Sequence, residues 1–181
     1  AFLKIAWERP EIEIVAVNDL GDVANLAYLL EYDTAYGKWN HPIRTETSNG
    51  TSEIIIDEKR VKVFAQKDPS LLPWKDLDVD VVIESTGAFR DEEGLKGHLK
   101  AGAKGVVLSA PLKGGDVPTY IISVNSMDYK GENAISNASC TTNCVAPVAQ
   151  IMVSKFGVNK AMMTTMHAYT SDQMLQDGGH K

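Results

Sequence analysis

The apolar positions of this chain change period repeatedly, and each change marks an element boundary. Phe2, Leu3 and Ala6 share one stripe at helical spacing, and Pro10 separates that helix tail from a strand expected over 12–17. Asp19 stands just past the strand, and Gly21-Asp22 leads into a helix whose buried face is Leu26, Leu29 and Leu30. Residues 53–64 alternate as two short β runs around Asp57-Glu58, a hairpin set between parallel crossovers, and Asp68-Pro69 closes it. A βαβ rhythm follows, with a strand over 79–84 running into Ser85-Thr86-Gly87, a helix over 91–100 and a strand over 104–108. Gly114-Gly115 lacks the strand-turn-helix setting of a phosphate loop and reads as a plain turn. Residues 120–124 read as another β run and 133–136 as a short buried strand. Residues 144–156 carry Val145, Val148, Ala149, Met152 and Phe156 at helical spacing, and 160–166 form a β-rich return run. Strands alternating with helices predict an α/β fold with a mostly parallel sheet.

Composition narrows the function classes more than the fold. With 181 residues and 44% hydrophobic content, the chain is long enough for one good core, or for one domain with a piece of a second. A net charge of −6 and a pI near 5.2 give no electrostatic reason to expect nucleic acid or an anionic membrane as partner. No apolar run approaches the roughly 18 residues of a membrane span, and no signal-peptide pattern opens the chain, so the cytoplasm is the expected compartment. Two cysteines four positions apart make neither a disulfide framework nor a cysteine-rich zinc site. His41, His98, His167 and His180 show no paired spacing on a helical face, and no metal is expected.

The chemistry concentrates in Ser136-Asn137-Ala138-Ser139-Cys140-Thr141-Thr142-Asn143-Cys144-Val145-Ala146-Pro147, between a strand-like and a helix-like run. Cys140 would lie at a helix N-terminus, where unsatisfied amides and the positive dipole end favour the thiolate. An arbitrary cysteine is far more often buried and structural, but the polar neighbours Ser139, Thr141, Thr142 and Asn143 argue against that for Cys140. Cys144, one turn on beside Val145, is expected in the core as a spectator. His167 follows Cys140 by 27 positions, and a helix and return strand would bring its imidazole back beside the sulfur. Taken alone, a histidine such as His167 is more often structural than catalytic, and an Asp such as Asp19 is more often an ordinary turn residue.

At Ser139-Cys140-Thr141-Thr142-Asn143-Cys144 and His167-Ala168-Tyr169-Thr170 the chain resembles the phosphorylating glyceraldehyde-3-phosphate dehydrogenase family. The likeness extends through Val15 to Leu20, Glu84-Ser85-Thr86-Gly87, Leu108-Ser109-Ala110-Pro111 and Ser171-Asp172-Gln173, and so covers essentially the whole chain. It implies a Rossmann-type, mostly parallel sheet that is N-terminally truncated, occupying 1–139, with the start of a second α+β catalytic domain over 140–181. The strand and Gly-rich turn with which the family opens, and its later catalytic half, are expected outside these residues, so the chain by itself is expected to be an inactive internal fragment. The resemblance implies NAD as cofactor, with Asp19 accepting the adenosine ribose hydroxyls, Leu20 beside it, Lys67 near adenine, and Thr86, Gly87 and Ser109 toward the nicotinamide. Lys67 reads equally as a solvated loop lysine.

Cys140 would then attack glyceraldehyde 3-phosphate and His167 would act as base and stabilise charge on the former carbonyl oxygen. Ser139, Thr141 and Thr170 would offer hydroxyls to the phosphates of substrate and of attacking inorganic phosphate. A homotetramer in glycolysis or gluconeogenesis is implied. The alternatives are an erythrose-4-phosphate dehydrogenase and a non-catalytic nucleotide-binding fragment. Asp19 and Leu20 favour NAD by repelling and failing to pair a 2′-phosphate, whereas Gly178-Gly179, where strict NAD users of the family carry Leu-Pro, relaxes the barrier; the expectation is NAD preference with detectable NADP use.

Overall fold

A computed structural model describes residues 1–48, 50–170, 173 and 175. Two compact units divide the chain, one formed by Ala1–Lys67 with Thr165–Lys181 and the other by Asp68–Thr164.

In the first unit the elements run α1 (Phe2–Trp7), β1 (Ala16–Asn18), α2 (Val23–Glu31), β2 (Tyr32–Asp33), β3 (Gly37–Lys38), β4 (Ile43–Ser48), β5 (Thr51–Ile56) and β6 (Lys59–Phe64). Strands β1-β6-β5-β4 form one sheet, parallel between β1 and β6 and antiparallel elsewhere, and β2 and β3 make a separate antiparallel pair. The expected hairpin is β5–β6, with β4 as a third strand outside the expected pair. Its turn is two residues long, and Asp57 (φ 47°) and Glu58 (φ 68°) both take the left-handed conformation, as a type I′ turn requires. Arg44 holds that turn with a bidentate pair to the Glu58 carboxylate, at 2.7 and 2.8 Å. Asp22 caps α2 by accepting from the Asn25 amide. Ala27, Ile54, Ile56, Val61 and Val63 form the core, with Leu3, Val17, Leu26 and Leu30 packed against it. The strand expected over 12–17 is strand only at Ala16–Asn18, because among the described residues β6 pairs with it along Lys62–Phe64 alone.

In the second unit follow β7 (Val81–Glu84), α3 (Glu92–Lys100), β8 (Gly105–Leu108), β9 (Ala134–Ser136) and α4 (Cys140–Phe156), with one-turn 3-10 helices at Pro69–Leu71 and Ser126–Asp128. The sheet β7-β8-β9 is parallel throughout, with Val82 opposite Val106 and Val106 opposite Ala134. Helix α3 makes the β7-to-β8 crossover, capped by Asp91 on the Gly94 amide, and buries Leu95, as Val106 and Leu108 of β8 are buried. This is the mixed α/β architecture with a parallel-strand sheet that the hydrophobic pattern predicts.

Three expectations fail here. Residues 120–124 are no strand: Asn125 Oδ1 takes the Ile121 amide and the Val124 and Asn125 amides bond Ile121 O, so the backbone groups that a ladder needs close a turn instead. Residues 160–166 form no strand either, and lie exposed without a β partner among the described residues. Cys144 is exposed, not buried, because α4 buries none of its residues among those described.

Candidate active site

Cys140 sits where β9 turns sharply into α4. Ser136, the last residue of β9, is fully buried and donates its hydroxyl to Ala110 O at 2.8 Å while accepting the Ala138 amide at 3.1 Å. Ala138 then adopts φ 58°, a left-handed conformation that costs an alanine roughly 1–2 kcal/mol and that the surrounding bonds enforce. Ser139 becomes the N-cap, its hydroxyl accepting from the Thr142 amide at 3.0 Å and meeting Thr142 Oγ1 at 2.7 Å. Asn143 ties the elbow down, donating Nδ2 to Asn137 O at 2.7 Å and to Ser139 O at 2.9 Å. Cys140 is thereby the first residue of a 17-residue helix and is exposed, with Sγ 4.0 Å from Thr141 Oγ1. Its own amide and that of Thr141 belong to the first-turn donors that no helical carbonyl satisfies, so a developing negative charge beside the sulfur meets N–H dipoles.

Neighbouring strands of the second unit bring their carboxyl ends to the same edge. Thr86 and Gly87 follow β7, Ser109 follows β8, and Cys140 follows β9 by four residues, which is the edge where open parallel sheets bind ligands. Ser109 donates its amide to Glu84 O and its hydroxyl to Ser85 Oγ, both at 3.0 Å. Gly87 has φ 73° and open space where a Cβ would stand. Beneath this edge lies a buried polar chain that the sequence reading passed over. Trp74 Nε1 donates to His98 Nδ1 at 3.1 Å, His98 Nε2 lies 3.0 Å from Glu84 Oε2, and Glu84 Oε1 accepts both the amide and the hydroxyl of Thr86. Burial pushes the Glu84 carboxyl up, but the hydrogen bonds from His98 and Thr86 outweigh it and hold it below the usual glutamate range. The only sequence signal was a glutamate at the end of the apolar run Val81-Val82-Ile83.

The first unit offers a similar edge. Asp19 and Leu20 follow β1, and Lys67 follows β6, the strand paired with β1 in parallel. Asn18 fixes the two ends together, exchanging hydrogen bonds of 2.9 Å with the backbone of Gln66. Asp19 Oδ1 accepts the Gly21 amide at 2.8 Å, and Asp19, Leu20 and Lys67 are all exposed. His167 and Thr170, also exposed, belong to this unit. His167 Nδ1 donates to Ala168 O, so Nδ1 carries a proton, and in the neutral imidazole the lone pair falls on Nε2. Thr170 donates its amide to Gln173 Oε1 at 2.8 Å. Cys140, Ser139, Thr141, Thr86, Gly87 and Ser109 belong to the second unit. Ser171, Asp172 and Gly178-Gly179 lie outside the described residues.

Residues 1–92 match the NAD binding domain of glyceraldehyde 3-phosphate dehydrogenase, and residues 139–181 match its C-terminal domain. The chain belongs to the glyceraldehyde 3-phosphate dehydrogenase family. The glyceraldehyde-3-phosphate dehydrogenase of Thermotoga maritima is 49% identical over 181 residues, which cover 98% of this chain and 53% of that protein. The enzyme of the same name from Clostridium acetobutylicum is 49% identical over 180 residues, covering 99% of this chain and 52% of its own length. The chloroplastic B form of Pisum sativum is 48% identical over 172 residues, covering 94% and 38%. The chain thus spans about half the length of the curated relatives it matches.

The donor set at the first edge fits the cofactor named by that domain. Asp19 has one carboxylate oxygen anchored and Oδ2 without a hydrogen-bond partner among the described residues, which suits a vicinal diol. Among the described residues no group of three or more His, Cys, Asp or Glu side chains forms a metal site, and no helix is long and apolar enough to cross a membrane.

Proposed function

We propose that the protein is an NAD-dependent, phosphorylating glyceraldehyde-3-phosphate dehydrogenase whose nucleophile is Cys140. The observation that carries this reading is the position of Cys140 at the first residue of α4, exposed, on the carboxyl edge it shares with Thr86, Gly87 and Ser109. The Cys140 thiolate adds to the aldehyde carbon, and the amides of the first turn hold the resulting oxyanion. Bound NAD supplies the hydride acceptor when the thiohemiacetal is oxidised to a thioester. His167, with its lone pair on Nε2, takes the thiol proton, returns it to the oxyanion to give the thiohemiacetal hydroxyl, and takes it again as hydride leaves. Inorganic phosphate then attacks the thioester carbonyl, the C–S bond breaks, and an acyl phosphate leaves with the thiolate restored.

Asp19 holds the adenosine ribose with Leu20 alongside, Lys67 lies toward adenine, and Thr86, Gly87 and Ser109 face the nicotinamide half. Thr141 and Thr170 offer hydroxyls to phosphate oxygens, while Ser139 acts chiefly by capping the helix that carries Cys140, which its bonds with the Thr142 amide and hydroxyl support. In this reading residues 1–139 serve NAD binding and 140–181 begin the catalytic domain. The full-length protein is a cytoplasmic homotetramer that prefers NAD and uses NADP detectably.

Steady-state NADH formation by the full-length protein, with inorganic phosphate and either glyceraldehyde 3-phosphate or erythrose 4-phosphate, tests the assignment. The expected result is a higher kcat/KM for glyceraldehyde 3-phosphate, with loss of roughly four orders of magnitude in kcat for Cys140→Ser. A higher kcat/KM for erythrose 4-phosphate, or activity retained in Cys140→Ser, would overturn it.

A further inference from the structure

Glu84 is 2% exposed and His98 4%, and a charge so deeply placed costs several kcal/mol in desolvation unless its partners compensate. Apolar side chains of the same volume would hold β7 against α3 at least as well. What the carboxylate does that an apolar group does not is reach upward. Its Oε1 takes two donors from one residue, the amide of Thr86 at 2.7 Å and the Thr86 hydroxyl, and that hydroxyl in turn accepts the Ala88 amide at 3.1 Å. Its Oε2 faces His98 Nε2, and Trp74, whose indole can only donate, occupies His98 Nδ1 and so forces the His98 proton onto Nε2. A polar chain therefore runs from the buried Trp74 to the exposed turn after β7, with every donor direction fixed.

We propose that Glu84, locked by His98 and Trp74, is a positioning residue that turns the Thr86 hydroxyl inward and presents the open backbone of Thr86-Gly87 to the cofactor. The proposal rests on the reading of this turn as a contact to the nicotinamide half of NAD. With its hydroxyl spent on Glu84 and Ala88, Thr86 meets a ligand through its backbone. Gly87, with nothing within 4 Å of a Cβ position, lets a flat ring approach closely.

Glutamine at position 84 has one acceptor oxygen for donors on both sides, so its NH2 meets either His98 Nε2–H or the Thr86 N–H and the chain breaks even though the shape is kept. In the full-length protein, the NAD dissociation constant and the apo melting temperature are measured for Glu84→Gln, Thr86→Val, Thr86→Ser and Leu95→Ala. Thr86→Val alters only the exposed end of the chain, so it reads the proposal even where Glu84→Gln does not fold. Losing one charge-assisted hydrogen bond predicts a roughly ten-fold weaker NAD affinity for Glu84→Gln and Thr86→Val. The KM for NAD should rise with it while kcat at saturating NAD stays, and Thr86→Ser should bind as wild type does. Leu95→Ala, a core cavity in α3, should lower the melting temperature and leave NAD affinity unchanged. NAD affinity within two-fold of wild type in Thr86→Val, or an equal loss in Leu95→Ala, would overturn the proposal while wild-type binding left the cofactor reading intact. A wild-type protein that does not bind NAD would overturn that reading and the proposal with it.

Discussion

Asp19 and Cys140 stand one or a few residues past the end of a parallel strand, where backbone amides turn outward and a side chain meets solvent without leaving a rigid frame. The Asp19 carboxylate accepts the Gly21 amide, and the preference for a diol over a 2′-phosphate proposed for it rests on charge as well as hydrogen bonding. Asp19→Asn, which removes the charge and keeps the shape, should lower kcat/KM for NAD by roughly 10-fold and raise the NADP-to-NAD ratio, as steady-state kinetics with both cofactors would show. An unchanged ratio would move the discrimination away from Asp19. Both residues were legible in the sequence because each follows a recognisable apolar run. Glu84 and His98 were not, since they lie 14 positions apart on a strand and a crossover helix, and only packing reveals that they meet.

The elements were legible where the pattern is strong and self-contained. Helix α2 was legible through its apolar face after Gly21-Asp22 and α3 through the βαβ rhythm, with the Asp22 and Asp91 caps added by the structure, and the β5–β6 hairpin through alternation about Asp57-Glu58. The run 120–124 misled because an apolar stretch says nothing of the Asn125 side chain that closes it into a turn. Cys144 misled because helical spacing marks an apolar face but not what covers it. Strand β7 carries a pH dependence of its own. The folded-state pKa of Glu84 lies below its unfolded value, so the ionised carboxylate contributes stability that is fully present above about pH 4.5 and is lost as pH falls through the lower folded value. Acid titration of thermal stability should therefore show a loss below about pH 4.5 that is smaller in Glu84→Gln, and parallel curves for the two proteins would contradict the assigned linkage. The cap at the other site is equally local: Ser139→Ala should cost about 1 kcal/mol, read as a lower urea midpoint at unchanged m.

On the scale of the whole molecule, two sheets each bring their parallel strand ends to an edge that carries ligand-binding residue types, and the second adds an exposed thiol on a helix of 17 residues. Val148, Ile151, Val153 and Phe156 leave that helix with an exposed apolar face, and Cys144 is exposed on it too. Exposure therefore does not distinguish the two thiols, and a difference in their reactivity isolates the chemistry of position: Cys140 has the helix N-terminus, Cys144 sits a turn inside. Brief iodoacetamide labelling of the folded full-length protein near pH 7, followed by peptide mapping, compares them in one sample. At least a ten-fold faster alkylation of Cys140 is the predicted result, since only the thiolate reacts and only the first turn stabilises it. Equal rates, or faster alkylation of Cys144, would contradict Cys140 as the nucleophile.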